Sequence, residues 1–160
     1  MPPIDHQTKS EAWNIDYTRV NIGKGRSDYK KAVKLLNQWH HFSLLWTWVN
    51  KPSMNNKNTP VVVTANTILW SMQPLRITYK QQTSKKTQFA HTTLQGHQLS
   101  GEEKFLVDWD GSRDGDVCFE IFTLSKPATP IAVIAYPLLR FYQKKFGRDA
   151  AKAMKDGMAM

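Results

Sequence analysis

A chain of 160 residues with ordinary apolar content and six tryptophans is long enough to bury a core as one folded domain, which excludes a disordered protein. Its single cysteine, Cys118, cannot close an intramolecular disulfide, so a disulfide-stapled scaffold is excluded and a reducing compartment, most simply the cytoplasm, is expected. The net charge of +9 favours an anionic partner without choosing among nucleic acid, phospholipid headgroups and acidic proteins.

In chain order, residues 1–12 combine Pro2, Pro3 and scattered polar groups without periodicity; they are expected to form a flexible arm, with no leader of secretory type, ahead of a single domain over 13–157. Ile15, Tyr17 and Val20 mark a first strand, stopped by Gly23 and Gly25. The "IGKG" at 22–25 lacks the spacing of a phosphate-binding loop and reads as a strand-to-helix turn. Ser27 or Asp28 is placed to cap a helix whose apolar side is Tyr29, Ala32, Val33, Leu36 and Trp39 or His40. "HFSLLWTWVN" predicts a second, aromatic-rich helix halted near Pro52, and "KPSMNNKNTP" a loop.

Five β-favouring segments follow: "VVVTANTILW", "LRITYKQQ", "TQFAHTTL", "EKFLVDWD" and "DVCFEIFTLS". Turn residues, including Gly96, Gly101 and two Asp-Gly pairs, separate them, as in an antiparallel sheet. From Pro130 to about Asp156 the pattern is helical, with Pro137 expected to kink it. Its apolar side is Ile134, Leu138, Phe141 and Tyr142; the basic residues Arg140, Lys144, Arg148 and Lys152 recur every fourth position on the other side. That stripe is either a solvated face or a docking surface for an anionic partner. The apolar run from Pro130 to Leu139 is too short to span a bilayer.

The predicted class is therefore α+β: a curved antiparallel sheet gripping a long C-terminal helix. The order of elements resembles the helix-grip architecture of START and Bet v 1-type proteins, whose sheet and helix enclose an apolar cavity.

A second resemblance rests on motifs. "FAHTTLQGHQLSGEEKFLV" is similar to the pattern F-x-Y-G-T-L-x-G-H-x-x-x-G-E-E-x-F-x-V of an uncharacterised plant and bacterial family, DUF1990, also called UPF0548. The likeness extends to "YTRVNIGKG", Tyr29, Ala32, Trp39, Phe42, the "PLR" of 74–76, "DGDVCFEIFTLSKP" and "YPLLRFYQKKFGRDAAKAM". His91 and Thr92 depart from its Tyr-Gly pair, Lys126 replaces an Arg, and Ala150 stands where Ser is usual. The resemblance implies no particular activity.

The candidate chemistry lies in the same stretch. Strand alternation puts Phe89, His91 and Thr93 on one side and Glu103, Phe105 and Val107 on one side of the next strand. If both sides face the cavity, His91 and Glu103 meet there as an acid/base pair; the alternative is that Glu103 pairs with Arg76, Arg140 or a turn while His91 bonds locally. Trp39, Phe42, Trp46, Arg76, Phe89, Phe105, Tyr136 and Arg140 are the candidate ligand contacts, with Arg140 suited to hold an anionic head. His97, Gly96 and Gly101 read as turn residues, the glycines supplying backbone angles closed to other residues, and Cys118 as a packed apolar residue. No metal motif or cofactor fingerprint is present, so none is expected. The expected function is binding of a small hydrophobic or amphipathic molecule. Cofactor-independent acid/base catalysis (an isomerase, cyclase or hydratase) and a basic module for RNA, an acidic protein or a membrane surface are the alternatives.

Overall fold

The computed structural model describes residues 13–52 and 57–160; the expected arm at 1–12 lies outside them. The elements are β1 (Asn14–Lys24), α1 (Gly25–Asn37), a 3-10 turn (His40–Phe42), β2 (Thr47–Val49), β3 (Pro60–Asn66), β4 (Trp70–Gln82), β5 (Lys86–Thr93), β6 (Leu99–Trp109), β7 (Asp116–Pro127), α2 (Pro130–Ile134) and α3 (Tyr136–Ala159). Among the described residues, seven strands form one sheet in the order β1-β7-β6-β5-β4-β3-β2, every pairing antiparallel. Register shifts between Asn21 and Gly23 in the edge strand β1 and between Ile77 and Tyr79 in the interior strand β4 bend those strands, which helps the sheet curl.

The concave face carries the apolar half of each alternating strand: Val61 and Val63, Leu75 and Ile77, Phe89, Phe105 and Val107, and Val117, Phe119 and Ile121, all buried. α1 closes one end of this face with Tyr29, Ala32, Val33 and Leu36, the residues its three-four spacing marks as apolar. It begins earlier than expected. Lys24 is the N-cap, and Asp28 serves from inside the first turn, its carboxylate accepting the Lys24 backbone N–H at 2.8 Å.

The predicted second helix is absent from 41–50. Trp39 takes a left-handed conformation (φ 59°) that ends α1, and a 3-10 turn redirects the chain. Thr47–Val49 then pairs with Val63–Ala65 as the edge strand. Short aromatic runs fit either period, and here Thr47 and Val49 favour the strand once β3 offers a partner.

The closing helix is broken, not kinked. α2 ends at Ala135, and Pro137 falls in the first turn of α3, where its missing N–H leaves no bond unmade. The two halves of α3 then differ. Its C-terminal half buries Gly147, Ala150, Ala151, Met154 and Gly157, small residues that let the helix sit close to the sheet and α1. A Cβ on Gly157 would lie 2.6 Å from the His40 ring, and one on Gly147 3.0 Å from the Thr18 hydroxyl. The N-terminal half carries bulkier Leu139, Tyr142 and Phe146, which stand over the sheet and leave a space beneath. Of the expected apolar side, Tyr142 is half-buried over the cavity, while Ile134, Leu138 and Phe141 are exposed, Leu138 least at 39%. Among the described residues no helix is long and apolar enough to cross a membrane.

Candidate functional site

Antiparallel register fixes the site before any side chain is considered. His91 on β5 stands opposite Glu103 on β6, and Glu103 stands opposite Thr123 on β7, so the three lie in one row across adjacent strands on the concave face. The Nε2 of His91 is 3.0 Å from Glu103 Oε2, and the Thr123 hydroxyl donates to Oε1 at 3.0 Å. A carboxylate only accepts, so as an ion Glu103 takes a bond from each neighbour and its plane is held on both sides. Exposure divides the roles. His91 is 2% exposed and backed by Phe42, Phe89 and Phe105, whereas the Glu103 side chain is 19% exposed. The carboxylate is the more accessible of the two; the imidazole supports it from behind.

This row borders a cavity of about 780 Å³ between the sheet and the N-terminal half of α3. Its apolar wall includes Phe42, Trp46, Leu75, Ile121, Leu139 and Phe146. Its polar side adds Thr93, whose hydroxyl accepts the Gly101 N–H at 3.0 Å, and Ser125, whose hydroxyl accepts from Gln143 at 2.8 Å. His97 also borders it, from the β5–β6 turn, with Nδ1 accepting the Leu99 N–H at 2.9 Å. Burial lowers the His97 pKa to about 4, and burial pushes the neighbouring Glu102 up from its ordinary value.

Gly96, in the β5–β6 turn, and Gly101, in β6, work differently. Gly96 has φ 95°, as expected of a turn glycine. Gly101 is there for space, since a Cβ would lie 1.9 Å from the Leu124 carbonyl oxygen of β7.

Of the expected contacts, Phe42 and Trp46 border the cavity, and Trp46 is fixed by its Nε1 donating to Asp149 at 2.9 Å. Arg76 does not. It alternates with the buried Leu75 and Ile77, so it projects from the convex face into solvent. Trp39, Phe89 and Phe105 are core, packed around His41 beside the cavity. Tyr136 accepts from Asn14 Nδ2, and Arg140 forms a paired contact with Asp16, its Nη2 donating to Oδ1 at 2.8 Å. Arg140 is thereby committed to joining α3 to β1, not to holding a ligand head. Neither is among the described residues that border the cavity. The basic stripe is divided: Arg140 pairs with Asp16 and Lys152 with Asp156, while Lys144 and Arg148 stand at the cavity rim.

Sequence reasoning missed Thr123, Ser125 and His41. The facing of β7 is the lost signal, because Cys118 and Phe122 on one side are as apolar as Phe119 and Ile121 on the other. His41 is wholly buried among Phe42, Phe89, Phe105 and Phe119, and neither ring nitrogen has a hydrogen-bond partner. Burial, with His91 nearby, holds its pKa well below the ordinary value. Cys118 is buried on the convex side, and burial raises its thiol pKa, which disfavours a nucleophilic thiolate. Among the described residues no three His, Cys, Asp or Glu side chains converge to hold a metal ion.

Comparison with known proteins places this geometry in context. A family described as a domain of unknown function (DUF1990) matches residues 4–153. A UPF0548 protein of Arabidopsis thaliana is 32% identical over 157 residues, covering 94% of this chain and 76% of the relative. Among solved structures, norcoclaurine synthase of Thalictrum flavum superposes with a TM-score of 0.55 at 9% identity, covering 90% of this chain and 95% of the other. The di-domain ARO/CYC BexL from the BE-7585A biosynthetic pathway gives 0.56 at 14%, covering 96% of this chain, which spans about half (52%) of that protein. At such identities the likeness establishes the fold alone: this is a helix-grip, Bet v 1-like sheet and helix.

Proposed function

We propose, from the premise that the chain belongs to the DUF1990 family, whose description assigns no activity, that it binds a small amphipathic molecule between sheet and α3. The cavity carries this reading. Its volume, about 780 Å³, suits one drug-sized ligand, and it joins an apolar wall to a few placed polar groups. The apolar body of the ligand packs against Phe42, Trp46, Leu139 and Phe146. A donor group on the ligand bonds to Glu103, whose position is fixed by His91 and Thr123. Native mass spectrometry of protein purified from its source, then identification of anything released, tests this. A stoichiometric small molecule that is retained by the parent and lost from Glu103→Gln supports the reading. A ligand-free mass, together with no binding of amphipathic probes such as 1-anilinonaphthalene-8-sulfonate, counts against it.

The His91–Glu103 contact favours a second reading, cofactor-independent acid/base chemistry in the same cavity. Glu103, the more exposed partner, would take a proton from the substrate. His91, donating from behind, would stabilise the carboxylate's position. In an isomerisation the protonated Glu103 returns the same proton to a second atom of the substrate, so the balance closes with that one group; a cyclisation or hydration also requires a donor for the acceptor or leaving atom. The fold supports catalysis in at least one neighbour, as the name norcoclaurine synthase states. With the released ligand as substrate, catalysis predicts turnover that falls at least about a hundredfold in Glu103→Gln. Unchanged ligand after prolonged incubation leaves binding alone.

A further inference from the structure

One feature left unexplained by the cavity's contents is an exposed apolar patch at its mouth. The β3–β4 hairpin carries Ile68, Leu69 and Trp70 at its tip, and Leu69 is 77% exposed. A second exposed group, Ile131, Ile134, Leu138 and Phe141, spaced three, four and three apart, lies on α2 and the start of α3, with Ile134 83% exposed and Leu138 bordering the cavity. Ile68, Leu69, Trp70 and Leu138 border the cavity while open to solvent, so both groups belong to the rim of one mouth. Isolated exposed apolar side chains are ordinary, but two exposed clusters that both reach one opening form a patch of the kind that meets another surface.

Charge at this rim identifies the occupant. Of the carboxylates at or near the cavity, Asp16 is paired with Arg140, Glu103 with His91, and Asp149 with Lys145 and Trp46; Glu102 closes no salt bridge among the described residues, and burial raises its pKa, which weakens its negative charge. Lys144 and Arg148, exposed on the same rim, close no salt bridge among the described residues, and the chain as a whole carries +9. We propose that the cavity mouth docks on an anionic lipid bilayer, the hairpin tip and α2 entering the headgroup region while Lys144 and Arg148 meet acidic headgroups. Exposed Ile and Leu supply burial there, Trp70 suits the interface between headgroups and chains, and basic residues within a Debye length of the surface add attraction. The cavity would then open directly onto the bilayer. The inference stands whatever molecule the cavity holds.

Co-sedimentation of the full chain with vesicles of phosphatidylcholine, and of phosphatidylcholine containing a quarter phosphatidylserine, tests the docking. Binding to the anionic vesicles is expected. Leu69→Asp and Ile134→Asp should each weaken it about tenfold or more, since each replaces an inserted apolar side chain by a charge. Lys144→Glu with Arg148→Glu should abolish the preference for phosphatidylserine. Lys30→Glu with Lys34→Glu, exposed on α1 away from the mouth, changes the net charge by the same amount and should retain binding close to the parent's. Because the substituted rim side chains are exposed, circular dichroism and thermal melting should match the parent, separating docking from misfolding. Absence of binding at low salt overturns the proposal, as does binding that survives Leu69→Asp and Ile134→Asp. A concentration-dependent dimer in light scattering, broken by those same substitutions without any vesicle binding, would overturn it in favour of a second copy of the chain.

Discussion

His97 shows how one residue can couple a turn to the stability of the whole chain. It closes the β5–β6 connection by accepting the Leu99 N–H, and burial lowers its pKa from 6.5 to about 4. In the unfolded chain it binds a proton near pH 6.5; in the folded chain it resists until about pH 4. Its contribution is therefore complete above pH 6.5 and is lost as pH falls toward 4, on the order of 3 kcal/mol across that window. His41, also held neutral by burial, acts in the same direction. Chemical denaturation at pH 7 and pH 4.5 should show the loss in the parent and a flatter profile in His97→Gln. An equal loss in both would remove His97 as a source of the pH dependence. The His91–Glu103 pair was legible as a candidate because a strand's period of two assigns faces once one apolar neighbour is known, as Phe89 and Phe105 were. Thr123 was not, because both sides of β7 are apolar.

At the scale of elements, the β5–β6 and β6–β7 pairings carry the site, and Gly101 sets how closely β6 approaches β7. An added methyl would meet the Leu124 oxygen at 1.9 Å, which no side-chain movement relieves because the obstacle is backbone. Gly101→Ala should therefore cost about 1–3 kcal/mol and disturb the register that aligns Glu103 with Thr123. Gly96→Ala should cost about 1–2 kcal/mol through its positive φ, leaving that alignment intact. Melting curves with cross-strand nuclear Overhauser contacts between β6 and β7 would check both, and an undisturbed β6–β7 pairing in Gly101→Ala would contradict the first. The edge strand β2 escaped the sequence reading because three residues cannot display a period; only β3, arriving later in the chain, decides it.

At the scale of the molecule, the excess of positive charge opposes compaction while the packed C-terminal half of α3 sustains it. Lys and Arg outnumber Asp and Glu by 22 to 13, so raising the ionic strength from low to physiological should increase the melting temperature by screening self-repulsion. A melting temperature that falls with added salt would place the ion pairs, such as Arg140–Asp16, above the repulsion in importance. The same charge makes the proposed lipid docking salt-sensitive, while the exposed Ile, Leu and Trp side chains supply what salt does not remove.

What the sequence by itself determined was the class of the fold, the chain order of most strands and the helical closing segment; it offered His91 and Glu103 as a pair only on the condition that both strand faces line the cavity, and the register supplied that condition. The features read from sequence follow from local periods, turn residues and antiparallel alternation, all of which act over a few residues. Only the tertiary structure decided that Arg76 faces outward, that Arg140 is bound by Asp16, and that the apolar positions Ile134, Leu138 and Phe141 stay open to solvent. Periodicity marks which side of an element is apolar. Whether another element arrives to cover it depends on long-range packing, which here seats α3 through its small C-terminal residues and leaves its N-terminal half raised over a cavity.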